Sequence, residues 1–250
     1  MTAQTTARAR SPLAAVISYT LRTCVPARRF LLLLPTVGAV LFGLLSRSAF
    51  SEETRAQAFA RVGGGGIHGL LLPIACLVIG DAIVGAELRS GTFAFTWLSP
   101  VPYRTIVVGR WIGGCVISAV VLVPAVVLAA LVASAPSTVG PEVLGIVAAS
   151  AAYLALFIAI GVSFRRPVVW SLVLVILVER LLGSALTGIA QLMPGWLAQG
   201  VLTGLAHLPR HRLGLPQGWE AVLRLAIVAT VALAVATRQL HRLRPAGSSD

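Results

Sequence analysis

Six long apolar runs, separated by short charged or glycine- and proline-rich segments, dominate the chain. A helix needs about 20 mainly apolar residues to cross a hydrocarbon core about 30 Å thick. The runs are Phe30–Leu45, Ile67–Ala86, Ile106–Val132, Val143–Phe164, Val168–Ala190 and Ala221–Arg238. The first run is short, but long arginine side chains flank it and can extend to the interface. We therefore predict an all-α integral membrane protein with six transmembrane helices.

The composition supports this fold class. Charged residues make up only 11% of the 250 residues, whereas 57% are hydrophobic. Soluble domains carry about 25% charged residues, so a soluble protein of this length would need far more charged surface. We predict a single transmembrane domain over residues 1–250. It divides into a cytoplasmic N-terminus (1–29), a six-helix membrane domain (30–240) and a cytoplasmic tail (241–250).

Arginine alone carries the positive charge, since the chain has 20 basic residues, a net charge of +12 and no lysine. The arginines flank the apolar runs and are more numerous on the side of the N-terminus. Because cytoplasmic loops are enriched in basic residues, both termini are predicted to be cytoplasmic. The pattern indicates contacts with membrane lipids rather than nucleic acid. Arginine-only usage is typical of a GC-rich bacterial genome, such as an actinobacterial one, and we predict a location in the cell membrane.

Three segments outside the runs have distinct predicted roles. Residues 12–24 place apolar side chains on one helical face, which predicts an N-terminal helix lying in the cytoplasmic interface. Residues 46–66 are predicted to form an outer loop that ends in a flexible glycine hinge, "GGGG", at 63–66. Residues 191–219 are half apolar but too interrupted to span. They predict a short re-entrant helix between the fifth and sixth spans.

The sequence lacks the residue patterns of the common catalytic and metal sites. A Walker A loop needs a lysine that reaches the phosphates, so the four glycines are not a nucleotide site. No G-x-S-x-G or H-E-x-x-H motif occurs, and the three cysteines are widely spaced. His207 and His211 are four residues apart, but Pro209 breaks the helix that would align them. We expect no enzyme activity, no metal and no cofactor on this chain.

Four charged residues fall inside or near the ends of the predicted spans: Asp81, Glu179, Arg180 and Arg224. A charge at the centre of a bilayer costs about 2.5–3.5 kcal/mol even on lenient scales, so each is a candidate functional residue. Glu179 could form a structural ion pair with Arg180 or Arg224. Alternatively, it could contact a substrate or gate a pathway. Asp81 could extend to the interface, cap a helix or pair with a basic residue of a cytoplasmic segment.

The stretch "GAELRSGTFAFTWLSPVPYRTIVVGR", from Gly85 to Arg110, connects the second and third runs and mixes charges with aromatic residues. One interpretation is a segment that floats at the lipid interface, where Trp and Phe are enriched. The other is a short helix that inserts its aromatic side chains into a groove on a soluble partner. The residue pattern alone leaves both open.

This stretch resembles the segment between the second and third spans of ABC-2 type permeases. That segment has an acidic residue, Gly-Thr, a hydrophobic stretch, a proline beside small residues, and a basic residue. The matching residues here are Glu87, Gly91-Thr92, Phe93–Leu98, Ser99-Pro100, Arg104 and Ile106–Arg110, with Arg110 where a lysine is common. The resemblance extends to the whole plan of an N-terminal helix, six spans, cytoplasmic ends and a broken outer segment.

The resemblance implies the membrane subunit of an ATP-driven exporter. Two permease chains, identical or different, would pair, and each would bind a separate ATPase subunit that carries ATP and Mg²⁺. Residues 88–102 would be the coupling helix that seats in a groove of the ATPase. The implied coupling residues are Glu87, Arg89, Gly91, Thr92, Phe93, Phe95, Trp97, Leu98, Pro100 and Arg104.

The resemblance also implies a substrate pathway between the two permease chains, lined mainly by the second and fifth spans. The short outer segment favours a hydrophobic small molecule such as a drug, an antibiotic or a lipid, as in multidrug efflux. One alternative is an ion- or proton-coupled carrier, with Glu179 or Asp81 as the titrating group. A membrane enzyme or an assembly scaffold is a further alternative.

Overall fold

The structure, a computed structural model, describes residues 11–23, 33–48, 54–85, 101–164, 166–209 and 214–242. Every regular element in these residues is helical, and they contain no strand. The predicted all-α fold class is therefore confirmed. The helices are α1 (Pro12–Thr23), α2 (Leu34–Ser48), α3 (Arg55–Ile83), α4 (Tyr103–Val132), α5 (Val139–Ser163), α6 (Pro167–Ala185), α7 (Pro194–Leu205) and α8 (Trp219–Arg242).

Five of these helices, α3, α4, α5, α6 and α8, are long and apolar enough to cross a membrane. They correspond to the second to sixth predicted spans. Helix α2 is apolar but has only 15 residues, and residues 24–32 before it lie outside the described part of the chain. The five apolar helices identify a multi-pass membrane protein, whereas the six-span topology stays a prediction.

Helix α5 forms the centre of the bundle and α6 its periphery. Within the most apolar window of each helix, 61% of the α5 window is buried but only 22% of the α6 window. Helix α5 packs against α3, α4, α7 and α8. Its fully buried alanines, Ala149, Ala152 and Ala155, let neighbouring helices approach closely, as small residues do in membrane bundles. Helix α6 instead exposes large apolar side chains, which suits a surface that faces lipid or another chain.

One end of the bundle gathers the C-terminal ends of α3 and α8 and the N-terminal end of α4. The rings of Tyr103 in α4 and His241 in α8 meet edge to face, with centroids 4.7 Å apart. Helix α1 packs on the same part of α4, where Val16 and Thr20 lie over Gly109 and Gly113. The apolar face of α1, predicted to face lipid, therefore contacts α4, because two glycines in successive turns leave room for it.

The glycine-rich stretch differs from its prediction as a loop and hinge. Helix α3 already begins at Arg55, behind a capping box formed by Thr54 and Gln57. It continues through the four glycines into a π-helical stretch, Gly64–Leu71. Two of these glycines serve close packing, since a β-carbon on Gly64 would collide with the Gln199 amide and one on Gly66 with the ring of Phe42. Tertiary contacts thus outweigh the low helix propensity of glycine.

Candidate functional site

Helix α7 begins inside the bundle, and its N-terminus organises the candidate site. It lies within the segment predicted as a re-entrant helix, and most of its 12 residues are buried against α3, α5 and α8. Its first turn contacts Tyr153, which lies 14 residues from the start of α5 and 10 from its end. At 1.5 Å per residue, Tyr153 is about 21 Å from one end of α5 and about 15 Å from the other. The N-terminus of α7 therefore lies deep within the bundle.

The N-terminus of α7 is aimed at the carboxylate of Glu179. The backbone N–H of Gly195 donates to Glu179 Oε1 at 2.9 Å. The hydroxyl of Tyr153 lies 2.5 Å from each carboxylate oxygen and donates its single hydrogen to the carboxylate. Only 1% of Glu179 and none of Tyr153 is exposed. A carboxylate is stabilised here because the first N–H groups of a helix lack partners and carry partial positive charge.

The same carboxylate joins three helices. Glu179 belongs to a π-helical stretch of α6, Val173–Leu182, while Tyr153 lies in α5 and Gly195 in α7. The indole N–H of Trp196 adds a bond to the backbone carbonyl of Glu179 at 3.1 Å. We infer that Glu179 fixes the inner end of α7 against α5 and α6.

Neither of the two ion pairs considered for Glu179 is formed in the described residues. Arg224 instead binds Gln191 at 2.9 Å and Glu220 at 2.8 Å, so the predicted Glu179–Arg224 pair is wrong. Arg180 makes no ion pair with Glu179, and its exposed side chain extends towards Gly69 of α3. Adjacent helical residues point in different directions, so the two side chains form no ion pair, although their charges lie close enough to interact.

A second buried polar pair lies beside this site and was not predicted from the sequence. Nε2 of His68 in α3 lies 3.2 Å from Oε2 of Glu142 in α5, and both side chains are essentially inaccessible. Neither forms another polar contact with a described residue. The backbone carbonyl of His68 borders Gly195, so the pair adjoins the N-terminus of α7. An ionisable residue within an apolar run is the signal that could have identified His68, whereas Glu142 lies just before the run Val143–Phe164 and gives no such signal.

The remaining predicted site residues lie elsewhere. Asp81 is half-buried in the last turn of α3, beside a cleft formed with α5 and the start of α6. Arg104 is exposed in the first turn of α4. The other nine predicted coupling residues fall in segment 86–100, outside the described residues. Those residues are Glu87, Arg89, Gly91, Thr92, Phe93, Phe95, Trp97, Leu98 and Pro100.

Arg110 links the two helices that border segment 86–100. The residue is only 5% exposed, and its Nη1 donates to the backbone carbonyl of Ile83 at 3.0 Å. Arg110 lies in the third turn of α4 and Ile83 at the end of α3, so the bond ties the exit of one helix to the entry of the next. The resemblance described for the sequence noted Arg110 only as a position where a lysine is common.

The described residues contain no group of three or more His, Cys, Asp or Glu side chains that could hold a metal ion. Comparison with protein-family models and with curated protein sequences gave no match. The fold and the site together define an all-helical, multi-pass membrane protein with a buried carboxylate at the tip of an internal half-helix.

Proposed function

We propose that the chain is the permease subunit of an ABC-2 type ABC transporter. In this proposal it exports a hydrophobic small molecule such as a drug, an antibiotic or a lipid. A separate ATPase subunit, with ATP and Mg²⁺, powers the transport, and a second permease chain completes the pathway. The support is the resemblance of the stretch 85–110, together with the order of the helices.

The observation that carries the proposal is the bond between Arg110 and Ile83. A coupling segment must pass the motion of a soluble subunit into the spans that border it. Because Arg110 ties the end of α3 to the start of α4, a force on the segment between them acts on both helices together. Buried hydrogen bonds to a charged group contribute about 1.5–3 kcal/mol, enough to hold such a connection.

The arrangement of the ends also supports the proposal. The borders of segment 86–100, the end of α8 and helix α1 all lie at one end of the bundle. The positive-inside rule assigns this end to the cytoplasm, where an ATPase would dock. In this proposal, helix α7 is the re-entrant helix between the fifth and sixth spans, and it enters from the outer side. Helix α2, extended by the residues before it, would supply the first span.

The first test is purification of the tagged protein from its native host in mild detergent, with and without cross-linking. Mass spectrometry of the co-purifying chains should identify a stoichiometric soluble subunit with Walker motifs. A preparation without any ATPase, also after cross-linking, would refute the proposal.

A matched pair of variants tests the coupling segment. Trp97→Asp should reduce ATPase association and uncouple ATP hydrolysis from transport, because it places a charge among the proposed anchors. Trp219→Asp makes the same change at a side chain that is 68% exposed at the opposite end of the bundle. It should leave association unchanged. Equal effects of the two variants, or unchanged transport in Trp97→Asp, would count against the assigned coupling helix.

A second candidate function is an ion- or proton-coupled carrier. The observation that favours it is the presence of two buried acidic residues, Glu179 and Glu142, beside Tyr153 and His68. Ionisable groups inside membrane spans commonly mark ion and proton pathways. Under this function, Glu179→Gln would abolish transport driven by an ion gradient, without a requirement for ATP. Under the permease proposal, transport requires ATP and the ATPase subunit.

A further inference from the structure

Arg180 is a cation beside the candidate site, and its charge lies close enough to Glu179 to act on that carboxylate. Among the described residues it makes no hydrogen bond and no ion pair, and its guanidinium lies against the backbone of Gly69. It belongs to the middle part of an apolar helix, where an unpaired charge is unfavourable. A guanidinium offers five N–H donors in a planar fork. Its surroundings therefore favour an anion that arrives from outside the chain.

Gln199 is a second polar group of the same cleft. Its residue is only 6% exposed, yet its side-chain amide makes no hydrogen bond with any described residue. The amide packs on Gly64 of α3 and lines the cleft together with Arg180, Gly69 and Trp196. The amide remains accessible from the cleft, so it can donate to a ligand with acceptor oxygens.

Glu179 and Arg180 carry opposite charges, so the free hydrogen-bond donors of the cleft, rather than its net charge, favour an anion. Glu179 is the one acidic residue among those that line it. Its carboxylate already accepts from Tyr153 and from Gly195, so the positive end of α7 is also occupied. What remains for a ligand is the guanidinium of Arg180 and the amide of Gln199, which together favour phosphate, sulfate or carboxylate oxygens.

The surface around the cleft is apolar. Ile176, one turn before Arg180 in α6, is 62% exposed, and Leu70, next to Gly69 in α3, is 53% exposed. We propose that the cleft between α3, α6 and α7 binds the anionic head of an amphipathic molecule, with Arg180 and Gln199 as donors and the apolar surface against its body. The head could belong to a membrane lipid or to a free amphiphile. That this amphiphile is the transported substrate rests on the proposed permease function.

The test measures binding of dodecyl phosphate to the purified full-length protein in nanodiscs of zwitterionic lipid. Neutral 1-dodecyl glycerol serves as the comparison probe. Dodecyl phosphate should bind about tenfold or more tightly than the neutral probe, as expected for charge-assisted hydrogen bonds. Arg180→Gln should remove this preference, and Gln199→Leu should reduce it. Arg238→Gln, the same change at an exposed arginine near the end of α8, should leave it intact.

Gly69→Ala tests the geometry without changing charge. A β-carbon at this position would collide with the guanidinium of Arg180, so the side chain must move and binding should weaken severalfold. Size-exclusion chromatography of each variant reports whether it remains folded. Unchanged affinity in both Arg180→Gln and Gly69→Ala would mean that Arg180 merely extends to the interface, and would overturn the proposal. Equal losses in Arg180→Gln and Arg238→Gln would overturn it too, because they would reflect net charge alone.

Nanodiscs that contain phosphatidylglycerol distinguish the two sources of the head group. If the lipid occupies the cleft, they should raise the apparent Kd of dodecyl phosphate in the wild-type protein but not in Arg180→Gln. An unchanged Kd would assign the cleft to a free amphiphile. Binding without an associated ATPase would refute the permease proposal and leave the site intact. An associated ATPase without selective binding would support the permease proposal and overturn the proposed anion site.

Discussion

Replacing Tyr153 by Phe isolates the strongest interaction of the buried carboxylate. The change removes only the hydroxyl that donates to Glu179 at 2.5 Å, while the ring can keep its stacking on Phe157. Water cannot replace the lost donor, because Tyr153 is 0% and Glu179 1% exposed. The carboxylate would keep Gly195 as its one remaining donor among the described residues.

The expected magnitude follows from the charge and the burial. Hydrogen bonds between membrane helices average only about 0.6 kcal/mol in double-mutant cycles. A bond to a charged group contributes more, about 1.5–3 kcal/mol. Since the carboxylate has few donors and lies away from water, the higher range applies. We expect Tyr153→Phe to lower the free energy of unfolding by about 1.5–3 kcal/mol.

The assay is reversible unfolding in mixed dodecyl maltoside and SDS micelles, followed by circular dichroism. Ser184→Ala provides the control, because it also removes one hydroxyl, at an exposed residue whose hydroxyl donates only to the carbonyl of Leu181 in its own helix. It should cost less than about 0.5 kcal/mol. In a cycle with Glu179→Gln, Tyr153→Phe should cost less in the variant background than in the wild type. A loss below about 0.5 kcal/mol in Tyr153→Phe would refute the argument that Tyr153 holds this carboxylate.

Two further predictions concern the same region and use the same unfolding assay. Gly195→Ala should destabilise the protein by about 2 kcal/mol or more, because its β-carbon would collide with Glu179, a backbone carbonyl and a hydroxyl. The control is Gly140→Ala, whose β-carbon would meet nothing within 4 Å and which should be nearly neutral. Similar losses in both variants would contradict the packing argument. Glu142→Leu alone should lower the free energy of unfolding by about 3 kcal/mol, because removing one partner of a buried pair leaves the other uncompensated. The double variant, His68→Leu with Glu142→Leu, should lower it by less than either single change. A double variant that loses the sum of the single losses would show that the two side chains do not interact.

The internal half-helix could be predicted only in part. Its existence follows from an apolar segment, 191–219, that is too interrupted by proline and glycine to span. Its depth does not follow, because the packing of Gly195 on Tyr153 and Glu179 joins residues far apart in the chain. No local pattern encodes such a contact. For the same reason, the partner of Glu179 was sought among arginines, whereas the structure uses a tyrosine and a backbone N–H.

The sequence by itself determined that this protein folds within a membrane. Long apolar runs and 11% charged residues leave helices within a membrane as the stable solution, since each helix satisfies its own backbone hydrogen bonds. Local chemistry likewise determined the amphipathic face of α1 and the capping box before α3. Tertiary structure alone decided how those faces are used. In the tertiary structure, the glycine run predicted as a hinge is part of a packed helix, and the N-terminus of α7 contacts Glu179. Neither follows from local sequence, because burial and close approach depend on residues from distant positions in the chain.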